Sequence, residues 1–232
     1  MTRAVVVDIE GTTSSTDFVT STLFPYARAR FATYLAEHRD SPQLRARLDE
    51  IRTEIDEPHA DEARIVAALE HWSDTDRKIT PLKTIQGWIW QDAFARGDLT
   101  SHFYPDVIPA LRRWHGAGMV LAVFSSGSVD AQRAWFGHSP EGDLLPLLTR
   151  YFDTDNAGPK REAHSYRKIA AELAVPSQTT LFLSDVVAEL DAARDAGWTT
   201  IGVRRTGEPS FEAGVGDHRA VSSFDELDPT DH

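Results

Sequence analysis

Four short apolar runs punctuate this chain, and three of them stop at a hydroxyl or carboxylate residue. Ala4-Val5-Val6-Val7 ends at Asp8, Met119-Val120-Leu121-Ala122-Val123-Phe124 ends at Ser125, and Leu181-Phe182-Leu183 ends at Ser184-Asp185; Thr199 to Val203 supplies the fourth. Continuous apolar runs of this length lack the two-residue alternation of a half-exposed strand. They fit strands buried on both faces of a parallel sheet. Between the last three runs the apolar period turns helical, over Val129 to Phe136, Tyr166 to Leu173, and Leu190 to Ala196, where Gly197 stops it. Strand alternating with helix predicts βαβ units, and so an α/β fold with a parallel sheet.

One stretch breaks the alternation. Residues 17–100 hold no convincing strand, and their apolar residues recur at helical spacing. Leu23, Ala27, Phe31 and Tyr34-Leu35 form one stripe, with Pro25 suited to a first turn; Leu44, Leu48, Ile51 and Ile55 form a second. Ile65-Val66, Leu69 and Trp72 make a third, and Leu82, Ile85, Ile89 and Phe94 a fourth. Four amphipathic helices with short polar connections predict a small bundle. The chain has 232 residues, enough for one sizeable core and a smaller appended unit. The expected domains are therefore a core of residues 1–16 and 101–232 and a helical insertion of residues 17–100, placed just after the first strand. Val107, Ile108, Leu111 and Trp114 predict a helix ending near Gly116 and Gly118, and the tail from Asp225 to His232 reads as frayed.

Composition removes several function classes. The formal charge of −12 would repel a polyphosphate backbone, so nucleic acid is not an expected partner. The absence of cysteine excludes disulfides, thiolate nucleophiles and cysteine-ligated metal centres. The nine histidines show no metal-ligand spacing, and Gly202 to Gly207 lacks a dinucleotide-binding pattern. No stretch approaches the roughly 20 apolar residues of a membrane span, and the N-terminal apolar run is too short for a signal peptide. A soluble cytoplasmic protein is expected.

In open parallel sheets, ligands collect outside the carboxyl ends of the strands. There the first run delivers Asp8, Glu10 and the Thr12-Thr13 loop; the second delivers Ser125, Ser126 and Gly127; the third delivers Asp185, with Glu189 one helical turn on. Lys160 lies between the second and third, in Ala157-Gly158-Pro159-Lys160. An acid after a strand is usually a cap or turn former, but four such features in register are hard to assign to capping. Together they suit phosphate-ester cleavage. A carboxylate can accept a phosphoryl group as an acyl phosphate, and its approach to an anionic ester needs a cation between them. Mg²⁺, which favours oxygen ligands, suits Asp8 and Asp185. Ser125, loop N–H groups and Lys160 can donate to the phosphate oxygens, and Glu10 can serve as acid and then base.

The segments Asp8-Ile9-Glu10-Gly11-Thr12-Thr13, Ser125-Ser126-Gly127-Ser128, Lys160 and Ser184-Asp185 resemble the four ordered motifs of the haloacid-dehalogenase-like phosphatases. Asp-x-Glu followed by Gly-Thr-Thr, where most such enzymes carry Asp-x-Asp, is similar to the narrower enolase-phosphatase family. Leu23-Phe24-Pro25-Tyr26, Phe136-Gly137-His138-Ser139, Glu141-Gly142-Asp143 and Ser165 to Ala170 extend the likeness over about residues 4–225. The resemblance implies a Rossmann-like core with a helical cap, acting as a monomer on a small phosphorylated substrate. It implies Asp8 as nucleophile and magnesium ligand, Glu10 as acid/base and carbonyl ligand, Ser125, Ser126 and Lys160 as substrate-binding residues, and Asp185 as the remaining magnesium ligand. The implied chemistry is enolisation of 2,3-diketo-5-methylthiopentyl 1-phosphate followed by dephosphorylation. The resemblance does not assign the base for the first step; since Glu10 is the one expected base beside the metal, the simplest expectation is that Mg²⁺ or Lys160 polarises a carbonyl while Glu10 takes the adjacent proton. Around the lysine, Gly158 to His164 departs in detail from the family pattern.

Rival readings remain open at this point. Glu189 fits a place behind the metal as well as a solvated helix face, and Ser126 fits a turn as well as a substrate contact. Lys168 competes with Lys160 for the phosphate, although its helical setting suits a surface lysine. The core motifs also fit a phosphatase of phosphoglycolate or of a sugar phosphate. A receiver-type domain or a non-catalytic phosphate-binding protein fits them less well.

Overall fold

The computed structural model describes residues 1–77 and 79–228. Contacts divide the chain into two compact units, residues 1–18 with 100–232, and residues 19–99. The first unit opens with β1 (Ala4–Val7), whose four residues are all buried, followed by the short helix α1 (Thr16–Phe18).

The second unit is all helical: α2 (Phe24–Arg28), α3 (Phe31–Glu37), α4 (Pro42–Glu54), α5 (Glu62–Asp74) and α6 (Thr80–Arg96), preceded by one π-helical turn over Val19–Leu23. The first predicted helix is thus two helices behind a wide turn. At the wide turn Pro25 has no N–H to continue the ladder, and the Leu23 carbonyl accepts the Trp90 indole N–H at 2.8 Å; α2 then ends where the Arg30 N–H closes on the Ala27 carbonyl at 2.9 Å, before α3 begins. Ser41 and Asp61 cap α4 and α5 by accepting the N–H groups of Leu44 and Arg64. The apolar stripes close on Phe31, Leu35, Leu44, Ile51, Ile65, Leu69, Trp72 and Ile85.

In the first unit, α7 (Val107–Gly116) leads to β2 (Val120–Phe124), α8 (Val129–Gly137) to β3 (Arg150–Phe152), and α9 (Ala163–Leu173) to β4 (Thr180–Ser184). α10 (Val187–Asp195), β5 (Thr199–Val203) and β6 (Arg219–Val221) complete it. The six strands are all parallel in the order β3-β2-β1-β4-β5-β6. The apolar runs account for four of them; β3 and β6 have only three residues each, too few to carry a period. On one face of the sheet Tyr166 sits edge-on to Phe124, Phe182 and Trp198, with Phe152, Ile169 and Leu190 around them. Of the tail expected to fray from Asp225 onwards, Asp225 and Glu226 instead belong to a capped 3₁₀ turn, Phe224–Glu226, and residues 229–232 lie outside the described ones.

Register decides where the chemistry goes. Val7 pairs with Val123 on one side and with Leu183 on the other, so β1, β2 and β4 end level. The residues that follow them, Asp8, Ser125 and Asp185, leave the sheet at one edge. Among the described residues, no helix is long and apolar enough to cross a membrane.

Candidate active site

The loop after β1 is wound tightly on itself. The Ile9 carbonyl faces the N–H groups of Thr12, Thr13 and Ser14 at 3.3, 2.9 and 2.9 Å, and Thr13 Oγ1 donates to the Asp8 carbonyl at 3.0 Å. Gly11 makes this winding possible. Its φ is +70°, and a Cβ there would lie 2.2 Å from Asp185 Oδ2, so a side chain would both strain the backbone and displace that carboxylate.

Asp8 is buried, and its Oδ1 accepts the Ile9 N–H at 2.7 Å and the Lys160 ammonium at 2.8 Å. Lys160 also reaches Glu189 Oε2 at 2.7 Å, and the Lys160 carbonyl accepts the Tyr166 hydroxyl at 2.7 Å, which fastens its segment to the core. Ser184 Oγ stands 3.1 Å from Glu189 Oε2 and 3.4 Å from Asp8 Oδ2; its single proton favours the shorter contact. Asp8 Oδ2 is therefore the less engaged oxygen. Asp185 is buried beside this group, with the Ser210 hydroxyl on Oδ2 at 2.5 Å and Thr12 Oγ1 on Oδ1 at 3.4 Å.

Asp8 and Glu189 share one ammonium here with Asp185 buried beside them, and the electrostatics record it. Burial, and then the charge of Asp8, push Asp185 up to about 6. Burial and Asp8 also raise Glu189, against the pull of Lys160. Burial alone would lower the lysine, but Asp8 and Glu189 outweigh it and hold the ammonium charged.

Of the site residues read from the sequence, Asp8 and Lys160 are in contact and Asp185 is buried beside them. The structure resolves the open reading of Glu189 in favour of a buried partner of Lys160 rather than a solvated face. Lys168 is exposed on α9. Ser125 is buried in the neighbouring loop, with its N–H on the Phe152 carbonyl and its Oγ 3.4 Å from the Gly127 N–H. Ser128 caps α8, Asp153 accepts the Val129 N–H, and Gln132 donates to the Gly127 and Phe152 carbonyls, so this loop is pinned from below. Ser126 is exposed. Glu10 is exposed too, at a bridge to Ser14, outside the buried carboxylate cluster.

Asp191, Asp217 and His218 form a second cluster with metal-ligand spacing. Arg194 already pairs with both carboxylates, so the cation in that cluster is a guanidinium. Sequence reasoning gives no role to Ser210 or Arg205, and none to the hydroxyl of Ser184. Arg205 follows the fourth apolar run closely enough to have been flagged as an edge residue, whereas Ser210 sits in a loop with no pattern.

The haloacid dehalogenase-like hydrolase family matches residues 2–197. Enolase-phosphatase E1 of Streptomyces avermitilis is 58% identical over 221 residues, covering 95% of this chain and 92% of that one. Its counterpart from Frankia alni is 55% identical, over 96% of this chain and 93% of that one. Among solved structures, the UTR4 protein of Saccharomyces cerevisiae is similar with a TM-score of 0.81 at 29% identity, covering 98% of this chain and 100% of that one.

Proposed function

The chain belongs to the haloacid dehalogenase-like hydrolases and, within them, to the enolase-phosphatases; it is a phosphatase, and on that premise we propose that it converts 2,3-diketo-5-methylthiopentyl 1-phosphate to the acireductone 1,2-dihydroxy-3-keto-5-methylthiopentene and phosphate in methionine salvage. The observation that carries this reading is the buried ion-paired group of Asp8, Lys160 and Glu189, with buried Asp185 beside it, at the carboxyl edge of the sheet. Residues 1–16 and 101–232 act as the catalytic core, and residues 17–100 act as its cap.

Asp8 attacks phosphorus, the bond from phosphorus to the substrate oxygen breaks, and Glu10 gives that oxygen its proton. Water, deprotonated by Glu10, then attacks the aspartyl phosphate, releasing phosphate and restoring Asp8. Ser125, Ser126 and Lys160 bind the phosphate oxygens. In the preceding enolisation, Glu10 removes the proton beside a substrate carbonyl, whose oxygen takes a proton from solvent to complete the enol; Glu10 keeps the proton that it then gives to the leaving oxygen, and its exposure leaves it accessible to substrate and solvent alike.

The donor set fits magnesium. Burial first, and then the charge of Asp8, raise Asp185, and both carboxylates offer the hard oxygens that Mg²⁺ prefers. Asp8, Asp185 and the Glu10 carbonyl would hold the ion, and when bound it supplies the positive charge that lets a carboxylate meet an anionic ester.

The test is phosphate release from the diketone phosphate with and without Mg²⁺, run beside phosphoglycolate and sugar phosphates. Magnesium-dependent turnover that prefers the diketone is expected; equal or better turnover of the other esters would remove the substrate assignment. In Glu10→Gln, loss of the enol absorbance is expected, and undiminished enol would eliminate Glu10 as the base.

A further inference from the structure

The segment after β5 carries no motif, yet it touches the loop after β1 and the carboxylate beside it. Arg205 Nε donates to the Thr12 carbonyl at 3.0 Å, while Nη1 grips both Asp106 oxygens at 2.9 and 2.8 Å and the Ser222 carbonyl at 3.0 Å. Its guanidinium lies 4.4 Å from the Tyr104 ring centre and 5.0 Å from that of Phe224, and the residue is 5% exposed. Glu208 accepts the Thr16 N–H on both oxygens, at 3.2 and 3.1 Å, and the Tyr104 hydroxyl at 2.5 Å. With Arg205 and Glu208 so fixed, the Ser210 hydroxyl meets Asp185 Oδ2 at 2.5 Å. The other oxygen of Asp185 meets Thr12 Oγ1 at the longer distance of 3.4 Å, and Thr12 is the residue whose carbonyl Arg205 holds.

The geometry points to Ser210 as a positioning residue for the magnesium site, held in place by Arg205 and Glu208. By occupying Oδ2 with a short bond it fixes the rotation of the Asp185 carboxylate and leaves Oδ1 as the more available donor. This rests on the reading that Asp8 and Asp185 hold the ion. Hydrogen-bond partners behind a metal ligand orient it, and their loss commonly costs about 10–100-fold in metal affinity.

Titration calorimetry with Mg²⁺ alone, on the full chain without substrate, tests the assignment. Ser210→Ala is expected to raise the Mg²⁺ dissociation constant about tenfold while leaving the metal-free melting temperature within about 2 °C of the parent. Ser210→Thr, which keeps the hydroxyl, is expected to restore the parent affinity. Asp185→Asn is the control for the metal reading and is expected to abolish the binding heat. If Asp185→Asn loses the heat but Ser210→Ala binds Mg²⁺ as the parent does, or melts lower with unchanged affinity, the positioning role is overturned and the metal site stands. If Asp185→Asn binds as the parent does, or the parent gives no heat, the metal reading and this inference both fall.

Discussion

Two ion pairs of nearly equal length sit in two very different settings. In the helical unit Arg28 meets Asp74 at 2.6 Å, with side chains 41% and 51% exposed; in the α/β unit Lys160 meets Asp8 at 2.8 Å, with side chains 10% and 6% exposed. The first pair exchanges water for a partner and gains little, because solvent screens the attraction. The second cannot fall back on water, so each charge depends on the other. The helical unit keeps this ion pair at the surface and rests on Phe31, Ile51, Ile65 and their neighbours. The α/β unit instead carries Asp8, Asp185, Glu189 and Lys160 in its interior. Buried like charges destabilise a fold, and their presence marks the sheet edge as built for chemistry rather than for stability.

The largest effect should come from Asp8→Asn. The amide is nearly isosteric but cannot attack phosphorus, so phosphate release should fall by at least about 10⁴-fold, as for removal of other covalent nucleophiles. A variant that retained turnover within about tenfold of the parent would refute covalent catalysis at Asp8. Next in size is Lys160→Met. Removing this ammonium leaves buried carboxylates uncompensated, which should cost on the order of 3–5 kcal/mol. The loss should be greatest near pH 8 and shrink towards pH 5, where Asp185 and Glu189 can take up protons instead. Thermal melts across that range check it; a pH-independent loss would mean that packing of the lysine stem, not its charge, matters.

Much of this edge was legible in the sequence because its strands are fully buried and its motifs are short. An unbroken apolar run such as Ala4 to Val7 is visible without a partner, and a polar residue that ends such a run must lie at the sheet edge. The insertion was legible for the complementary reason, since its helices bury single stripes at helical spacing. What escaped notice lacked any local signal. β3 and β6 are three residues long and exist only because their neighbours offer free ladder groups. The pairing of Glu189 with Lys160 joins residues far apart in the chain, and position on a helix alone fits a solvated face equally well. The wide turn before α2 has Trp90 reaching the Leu23 carbonyl from another helix, a contact that no local spacing announces.

The next contrast concerns protons. Asp185 is raised to about 6 from an ordinary value near 4, so between those values the folded chain binds more protons than the unfolded one. Its contribution to metal-free stability is therefore most favourable below about pH 4 and is lost as pH rises through about 6. Mg²⁺ competes for the ionised carboxylate, so the stabilisation it confers should run the other way, full above about pH 6 and fading below it. Melting curves from about pH 4.5 to 8, in chelator and in Mg²⁺, should show these opposite slopes. In Asp185→Asn the metal-dependent one should vanish. Parallel slopes in the two conditions would break the link between that carboxylate and the ion.

The smallest effect should be at the exposed pair. Arg28 donates to both Asp74 oxygens, at 2.6 and 2.9 Å, and its guanidinium is raised by the Asp74 hydrogen bond while the Asp74 carboxyl is lowered by the same contact. On geometry alone this fork is a better ion pair than Lys160 with Asp8. Its setting cancels the advantage, because both ends regain water when the pair opens. Arg28→Ala should therefore shift the melting temperature by no more than about 2 °C, with the shift shrinking further in about 1 M salt as screening grows. A drop as large as that of Lys160→Met would show that bidentate geometry outweighs burial in this chain, and the distinction between the two units would fail.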